Sequence, residues 1–120
     1  MARTTLTRTT PLGPYPTLQP AANALDLTMT AADTVNFNQI LFDGPLLVVA
    51  QNTDSVDRTV TITSAVDSYN RTGDITTYTI SADDILVLKL DQFPGWRQSD
   101  GYLYLQANNA AVKLGAIRLR

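Results

Sequence analysis

The acidic residues that could act together most directly are Asp54 with Asp57 and Asp83 with Asp84. Two carboxylates held side by side can share a proton or ligate a cation. Neither pair fits the ligand spacing of a calcium loop, and both lie in polar turns, where aspartate commonly caps the backbone. The sequence therefore predicts no metal site and no bound cofactor.

A nucleophile would need a base, and the chain has no histidine, cysteine or glutamate to supply one. Lys89 and Lys113 are the candidates to activate a serine, but both fall inside predicted strands and neither completes a Ser-x-x-Lys arrangement. No glycine-rich loop could cradle a phosphate. The sequence predicts a protein that is not an enzyme.

Three aromatic residues lie close together in the sequence: Trp96, Tyr102 and Tyr104. Aromatic rings stack on sugar faces, so one interpretation is a carbohydrate-binding platform. The other is that Trp96 plugs one end of the fold while the tyrosines cover a sheet face with their hydroxyls in water. The position of Trp96 directly after Pro94-Gly95 favours the second interpretation.

Composition limits the fold and the partners. The 120 residues, 44% of them hydrophobic, suffice for one domain with a modest core. The net charge of −2 offers no basic patch for nucleic acid. No run approaches the roughly 20 apolar residues that cross a bilayer, and the start lacks the apolar stretch of a secretory signal. We expect a protein made in the cytoplasm whose partners are neither nucleic acid nor membrane.

Short runs of strand periodicity, separated by turn residues such as Ser99-Asp100-Gly101, follow one another from residue 25. Two of them, Leu46–Ala50 and Ile85–Leu88, are apolar throughout, which predicts strands covered on both faces or lying centrally between packed layers. The predicted fold class is an all-β, eight-stranded β-sandwich of the jelly-roll type with an extended N-terminal arm. The eight predicted strands are 25–30, 37–42, 46–51, 59–64, 75–81, 85–91, 102–107 and 111–119.

The last of these strands changes its pattern in the middle. Val112 and Leu114 share one face, whereas Ile117 and Leu119 fall on the other face unless one residue is inserted between the two pairs. We therefore predict a β-bulge at or beside Gly115.

Residues 1–24 are predicted to form the arm, and residues 25–120 the β-sandwich domain. Closely spaced prolines fix φ and favour an extended backbone in the arm. The arm is basic, whereas every aspartate lies beyond it, which suits contact between copies or contact with an acidic surface. The candidate partner-binding residues are two arginines and the sizeable apolar side chains in the middle of the arm, namely Arg3, Arg8, Leu12, Tyr15 and Leu18.

Three stretches, Thr4–Pro16, Asp57–Ser64 and Gly95–Leu119, resemble the small decoration (cement) proteins on the heads of tailed bacteriophages. The resemblance covers most of the chain and is one of layout, without a diagnostic motif. It implies a non-enzymatic virion structural protein, assembled in the host cytoplasm, that forms homotrimers and binds the major capsid protein on the capsid exterior. The arm would grip neighbouring subunits.

Under this interpretation, a protein that lacks residues 1–20 should still fold but bind capsids weakly. Two alternatives remain open at this point. One is another phage structural component of the neck, tail or head fibre, and the other is a carbohydrate-binding β-sandwich module.

Overall fold

A computed structural model describes residues 2–11, 22, 23, 25–66, 68–91 and 93–119. The described chain is nearly all β, with ten strands and one helical turn, α1 (Phe93–Trp96). The strands are β1 (Thr4–Thr5), β2 (Arg8–Thr9), β3 (Thr30–Ala31), β4 (Asn38–Leu41), β5 (Leu46–Asn52), β6 (Arg58–Thr63), β7 (Ile75–Ile80), β8 (Ile85–Leu90), β9 (Tyr102–Ala107) and β10 (Val112–Arg118).

The strands form two sheets of five strands each. Sheet A has the order β1-β4-β9-β6-β7. Sheet B has the order β2-β10-β5-β8, and β3 also pairs with β10. Four antiparallel pairs are nested along the chain, because β3 pairs with β10, β4 with β9, β5 with β8 and β6 with β7. The two edge strands β7 and β8 follow each other in sequence but belong to different sheets.

One hydrophobic core lies between the two sheets. Strand β5 alternates buried and half-buried residues along its whole length, and β9 does the same, as strands with one face in a core must. Leu46, Leu103 and Leu105 are fully buried. These observations confirm the prediction of an all-β sandwich.

The first residues of the predicted arm lie on the domain. β1 pairs in parallel with β4, β2 pairs in parallel with β10, and the chain crosses between the sheets at Leu6. The Leu6 side chain is only 4% exposed and belongs to the core. Residues 2–11 therefore differ from the predicted arm, because they close one side of the sandwich. The rest of that prediction falls mainly on residues 12–21, which lie outside the described residues.

The predicted bulge at Gly115 is wrong. The pairing of β10 with β5 runs from Val112 to Arg118 without a shift of register. Ile117 does lie on the outer face, as strict alternation requires. Gly115 meets a different need, since a Cβ there would lie 2.6 Å from the sulfur of Met29, which packs on the outside of β10.

The irregularity lies instead between β6 and β7, where the register shifts between Val60 and Ile62. Val60 pairs with Tyr78 and Ile62 with Ile75, so β7 carries one extra residue. Within this bulge Thr77 has a φ of 49°. Its backbone N–H donates to the hydroxyl of Thr61 at 3.0 Å.

Candidate binding surfaces

Arg3 and Arg8, both predicted to contact a partner, are held by their own domain. The Arg3 guanidinium lies 4.1 Å from the centre of the Tyr104 ring and donates to the carbonyls of Asn38 and Leu105, each at 3.2 Å. Burial lowers the pKa of Arg3. Arg8 forms an ion pair with Asp43, which lowers the pKa of that carboxyl. Part of the charge difference between arm and domain is therefore satisfied within one chain.

The other predicted anchors, Leu12, Tyr15 and Leu18, lie outside the described residues. Their role as partner-binding residues stays a prediction.

Two of the three aromatic residues, Trp96 and Tyr104, contact their own domain. Trp96 is half-buried and packs against the core. Tyr104 faces outward from sheet A, where its hydroxyl donates to Asp100 and its ring lies under Arg3. The hydrogen bond to Asp100 raises the pKa of Tyr104. The structure thus places Tyr104 in a contact with Arg3 that the spacing of the aromatics did not indicate.

Asp54 and Asp57 have separate partners within the domain. Asp54 accepts two hydrogen bonds from Arg58, at 2.9 and 2.6 Å, which lower the pKa of its carboxyl. Asp57 accepts the backbone N–H of Ala82 at 3.2 Å, and Asp83 occupies a turn with a φ of 64°. Among the described residues, no group of three or more acidic side chains is arranged to hold a metal ion.

An apolar cavity of about 100 Å³ opens between the edge strands β7 and β8. We call it the β7–β8 slot. Its floor is formed by Val60 and Ile62 of β6, and its walls by side chains of the two edge strands. All of its lining residues are apolar or aromatic: Val60, Ile62, Ile75, Tyr78, Leu86 and Leu88. At its mouth, Tyr78 is 48% exposed.

The corner that joins β7 to β8 is fixed by a buried amide. Asn52 has no exposed surface, and its Nδ2 donates to the carbonyls of Ile80 and Ser81 at 2.9 and 3.2 Å. Its Oδ1 accepts the backbone N–H of Asp54 at 3.0 Å. A buried amide with this many partners defines a single geometry, so the slot is bordered by strands held in place.

Strand β8 lies at an edge and is apolar on both faces from Ile85 to Leu88, while Lys89 adds a charge to its outward face. Leu86 and Leu88 face the slot, while Ile85 and Val87 point outward and are 55% and 56% exposed. The prediction that Ile85–Leu88 is covered on both faces is wrong for the single chain. From Ile85 to Leu88 the composition is typical of a central strand, whereas Lys89 is a charge of the kind that unpaired edge strands usually carry.

The two sides of the sandwich thus differ. Among the described residues, those numbered 4–9 close one side, and none covers the apolar slot or the outward face of Ile85 and Val87 on the other side. Comparison with protein-family models, with curated proteins and with solved structures found no match to this chain. Among the described residues no helix is long and apolar enough to cross a membrane. Sequence reasoning missed the slot because it depends on which strands lie at the edges.

Proposed function

We propose that this chain is a non-enzymatic structural protein of a bacteriophage virion, a decoration protein that binds the capsid exterior and stabilises it as a homotrimer. The observation that carries the proposal is the apolar edge strand β8 beside the open β7–β8 slot. An edge of this kind accepts an extended segment from another chain by strand addition. That the trimer binds a capsid is inferred from the resemblance to phage decoration proteins.

A jelly roll is the finer fold that we infer, and the strand order supports it. Counted from β3, the first strand pairs with the eighth, the second with the seventh, the third with the sixth and the fourth with the fifth. Nesting of this kind is what folding one long hairpin across two sheets produces. Jelly rolls occur in viral capsid and lectin domains, although a fold alone does not define a function.

The proline-rich segment 12–20 has the composition that such an edge would accept. In an extended strand, the N–H groups of alternate residues point to the same side. Pro14, Pro16 and Pro20 all occupy even positions, so the missing N–H groups would face away from the sheet. The odd positions keep a continuous row of donors: Gly13, Tyr15, Thr17 and Gln19. The even edge keeps only the N–H groups of Leu12 and Leu18, so the segment would pair better along its odd edge, which limits uncontrolled growth of the sheet.

The side chains of the same segment fit the two surfaces of β8. On the even face, Leu12 and Leu18 flank the prolines and would enter the slot. On the odd face, Tyr15 would lie beside Ile85 and Val87. Each buried apolar side chain contributes roughly 1.5–3 kcal/mol, so three anchors can offset the ordering of a segment that prolines have already stiffened.

The segment that fills the slot belongs to a second copy in this proposal. The homotrimer that the resemblance implies favours donation between copies over pairing within one chain.

A segment donated from each copy to the next forms a head-to-tail interface, which closes into a ring when the rotation is right. A trimer made in this way presents three equivalent capsid-binding faces. Simultaneous binding of three faces at a symmetry axis gives an avidity that one contact lacks.

The substitution Thr17→Pro tests the pairing, because it removes one donor from the odd row. Thr17→Val is the matched control, since it keeps the N–H and the β-branched shape. We expect Thr17→Pro to be monomeric by analytical ultracentrifugation and to occupy purified heads about tenfold more weakly, while Thr17→Val behaves as the unaltered protein. Equal assembly and equal occupancy by both variants would contradict the proposal.

A second pair of variants tests the receiving strand. Val87 and Val35 are both more than half exposed, at 56% and 68%, so lysine at either position should leave the fold intact. Val87→Lys should reduce both trimer formation and head occupancy, because it places a charge beside Tyr15 of the donor. Val35→Lys should change neither. Imaging of intact virions then locates the protein, and a position on the neck, tail or fibre would refute the decoration role.

A further inference from the structure

The outward face of sheet A carries a shallow depression of about 280 Å³ on the opposite surface of β6 from the slot. Its lining joins the turn before β4 with strands β6, β7 and β9. The lining side chains are mostly hydroxyls and amides around one aromatic ring: Thr34, Phe37, Thr59, Thr61, Thr77, Gln106, Ala107 and Asn108. No charged side chain belongs to this set.

Two strained residues meet at this depression. Five described residues other than glycine have a positive φ, and three of them are Asn or Asp, which tolerate that conformation. The other two are Phe37, with a φ of 63°, and Thr77, with a φ of 49°. A bulky and a β-branched residue rarely adopt this conformation, and such strain concentrates where a protein binds or reacts.

The polar groups of the depression are held by bonds that leave donors available to a ligand. The hydroxyl oxygen of Thr61 accepts the backbone N–H of Thr77 at 3.0 Å, so its own hydrogen can point to the depression. The side-chain oxygen of Asn108 accepts the N–H of Thr59 at 3.1 Å, which leaves the NH₂ group to donate. Both donors are fixed before any ligand arrives.

The Phe37 ring is positioned from the adjoining side. The Arg3 guanidinium lies 5.5 Å from its centre and is itself held by the carbonyls of Asn38 and Leu105. The half-buried ring offers an apolar surface beside the fixed donors. Hydroxyls, amides and an aromatic ring, without charge, suit a neutral ligand that has both C–H faces and many hydroxyls.

We propose that this depression binds a neutral saccharide, with Phe37 as the stacking surface and with Thr61, Asn108 and Gln106 as hydrogen-bonding partners. The depression is near the lower end of the size of ligand sites, and it holds about one sugar ring or two. The rest of a longer glycan would leave along the open face of the sheet. This activity goes beyond capsid binding, since it uses the face of sheet A and leaves β8 unused.

The test begins with the unaltered full-length protein on an array of neutral and charged oligosaccharides. Binding to neutral glycans is expected, followed by titration of the best one by calorimetry. Phe37→Asn is the informative variant, because asparagine accepts the positive φ while removing the ring. It should keep or raise the melting temperature and weaken binding by at least about tenfold.

Two further variants complete the test. Gln106→Met keeps the size of the side chain but removes its amide, and it should also weaken binding. Tyr69→Asn removes an aromatic side chain that is 78% exposed in a loop between β6 and β7, and it should not change binding. Any one of three results would overturn the proposal: no neutral glycan is bound, only charged glycans are bound, or Phe37→Asn binds as well as the unaltered protein.

Discussion

Replacing Leu6 with alanine tests whether the first residues belong to the domain. The Leu6 side chain is 4% exposed in the core, between two strands that pair with different sheets. Truncation of a buried leucine to alanine costs about 2–5 kcal/mol, and the lower part of this range applies where a short edge segment can collapse into the space. We therefore expect a loss of about 2–3 kcal/mol, which corresponds to a melting temperature lower by about 8–12 °C.

The assay is equilibrium unfolding in urea together with a thermal scan, both followed by circular dichroism. Leu25→Ala is the matched control, because Leu25 is 48% exposed and should lose less than about 1 kcal/mol. If the two variants lose the same stability, residues 4–9 do not close the sandwich in solution, and the argument for its two unlike sides fails.

Because residues 4–9 pair with both sheets, the truncation experiment needs a narrower change. Removing residues 1–20 deletes β1, Leu6 and β2 together with the proline-rich segment, so weak capsid binding would follow from an unfolded domain as readily as from a missing arm. Replacing only residues 12–20 with a Gly-Ser linker of equal length separates these effects. That variant should retain its unfolding midpoint and lose its trimer.

Three other predictions follow from single contacts. Gly115→Ala should destabilise the fold by about 1–2 kcal/mol in urea unfolding, because the new methyl group displaces the sulfur of Met29. Asn52→Leu should cost about 2–4 kcal/mol in the same assay, since buried carbonyl groups at the β7–β8 corner lose their donor. The hydroxyl of Thr4 and two backbone N–H groups lower the pKa of Asp33 to about 2. The stability from Asp33 is therefore complete above its ordinary pKa, near 3.9, and is lost as the pH falls through about 2, so Asp33→Asn should flatten the decline of stability between pH 5 and pH 2.

Each of these three substitutions has a control or a result that would contradict it. Gly73→Ala places a methyl group where nothing lies within 4 Å, so a loss equal to that of Gly115→Ala would remove Met29 as the cause. Asn52→Leu with unchanged stability would mean that water or other groups satisfy the carbonyls. An unchanged pH profile in Asp33→Asn would exclude its hydrogen bond with Thr4 as a source of acid sensitivity.

Strand periodicity predicted the positions of the long strands well. The run predicted as 46–51 is Leu46–Asn52, and the run predicted as 102–107 is Tyr102–Ala107. These strands alternate because one face is buried, and burial is what periodicity measures. The pairing of residues 4–9 with the domain was not predicted, because these residues show no periodicity. β1 and β2 are two residues long, and Leu6 between them is one apolar side chain, which gives no period.

The candidate surfaces could be predicted only in part, because they depend on which strands become neighbours. The apolar run Ile85–Leu88 correctly indicated a strand, but not that the strand lies at an edge with its outward face exposed. The depression on sheet A is built by β6, β7 and β9, and the bulge that strains Thr77 falls in a run of threonines without polar contrast. The bulge at Gly115 was predicted because the apolar residues of β10 move from one face to the other. No residue is inserted there, and the segment around Met29 covers the outer face instead.

The apolar edge of β8 and the prolines of segment 12–20 are best explained together. An apolar edge strand invites uncontrolled association, which natural sheets normally prevent with lysine, proline or a cover, and β8 has one lysine, Lys89. Here the prolines belong to the segment that would be donated, and Pro14, Pro16 and Pro20 all occupy even positions. A segment paired with β8 would therefore present a new edge that lacks N–H groups at those three positions. Association through β8 then stops after one added strand. A sequence under selection only for a stable monomer would need neither the apolar edge nor the alternation of the prolines.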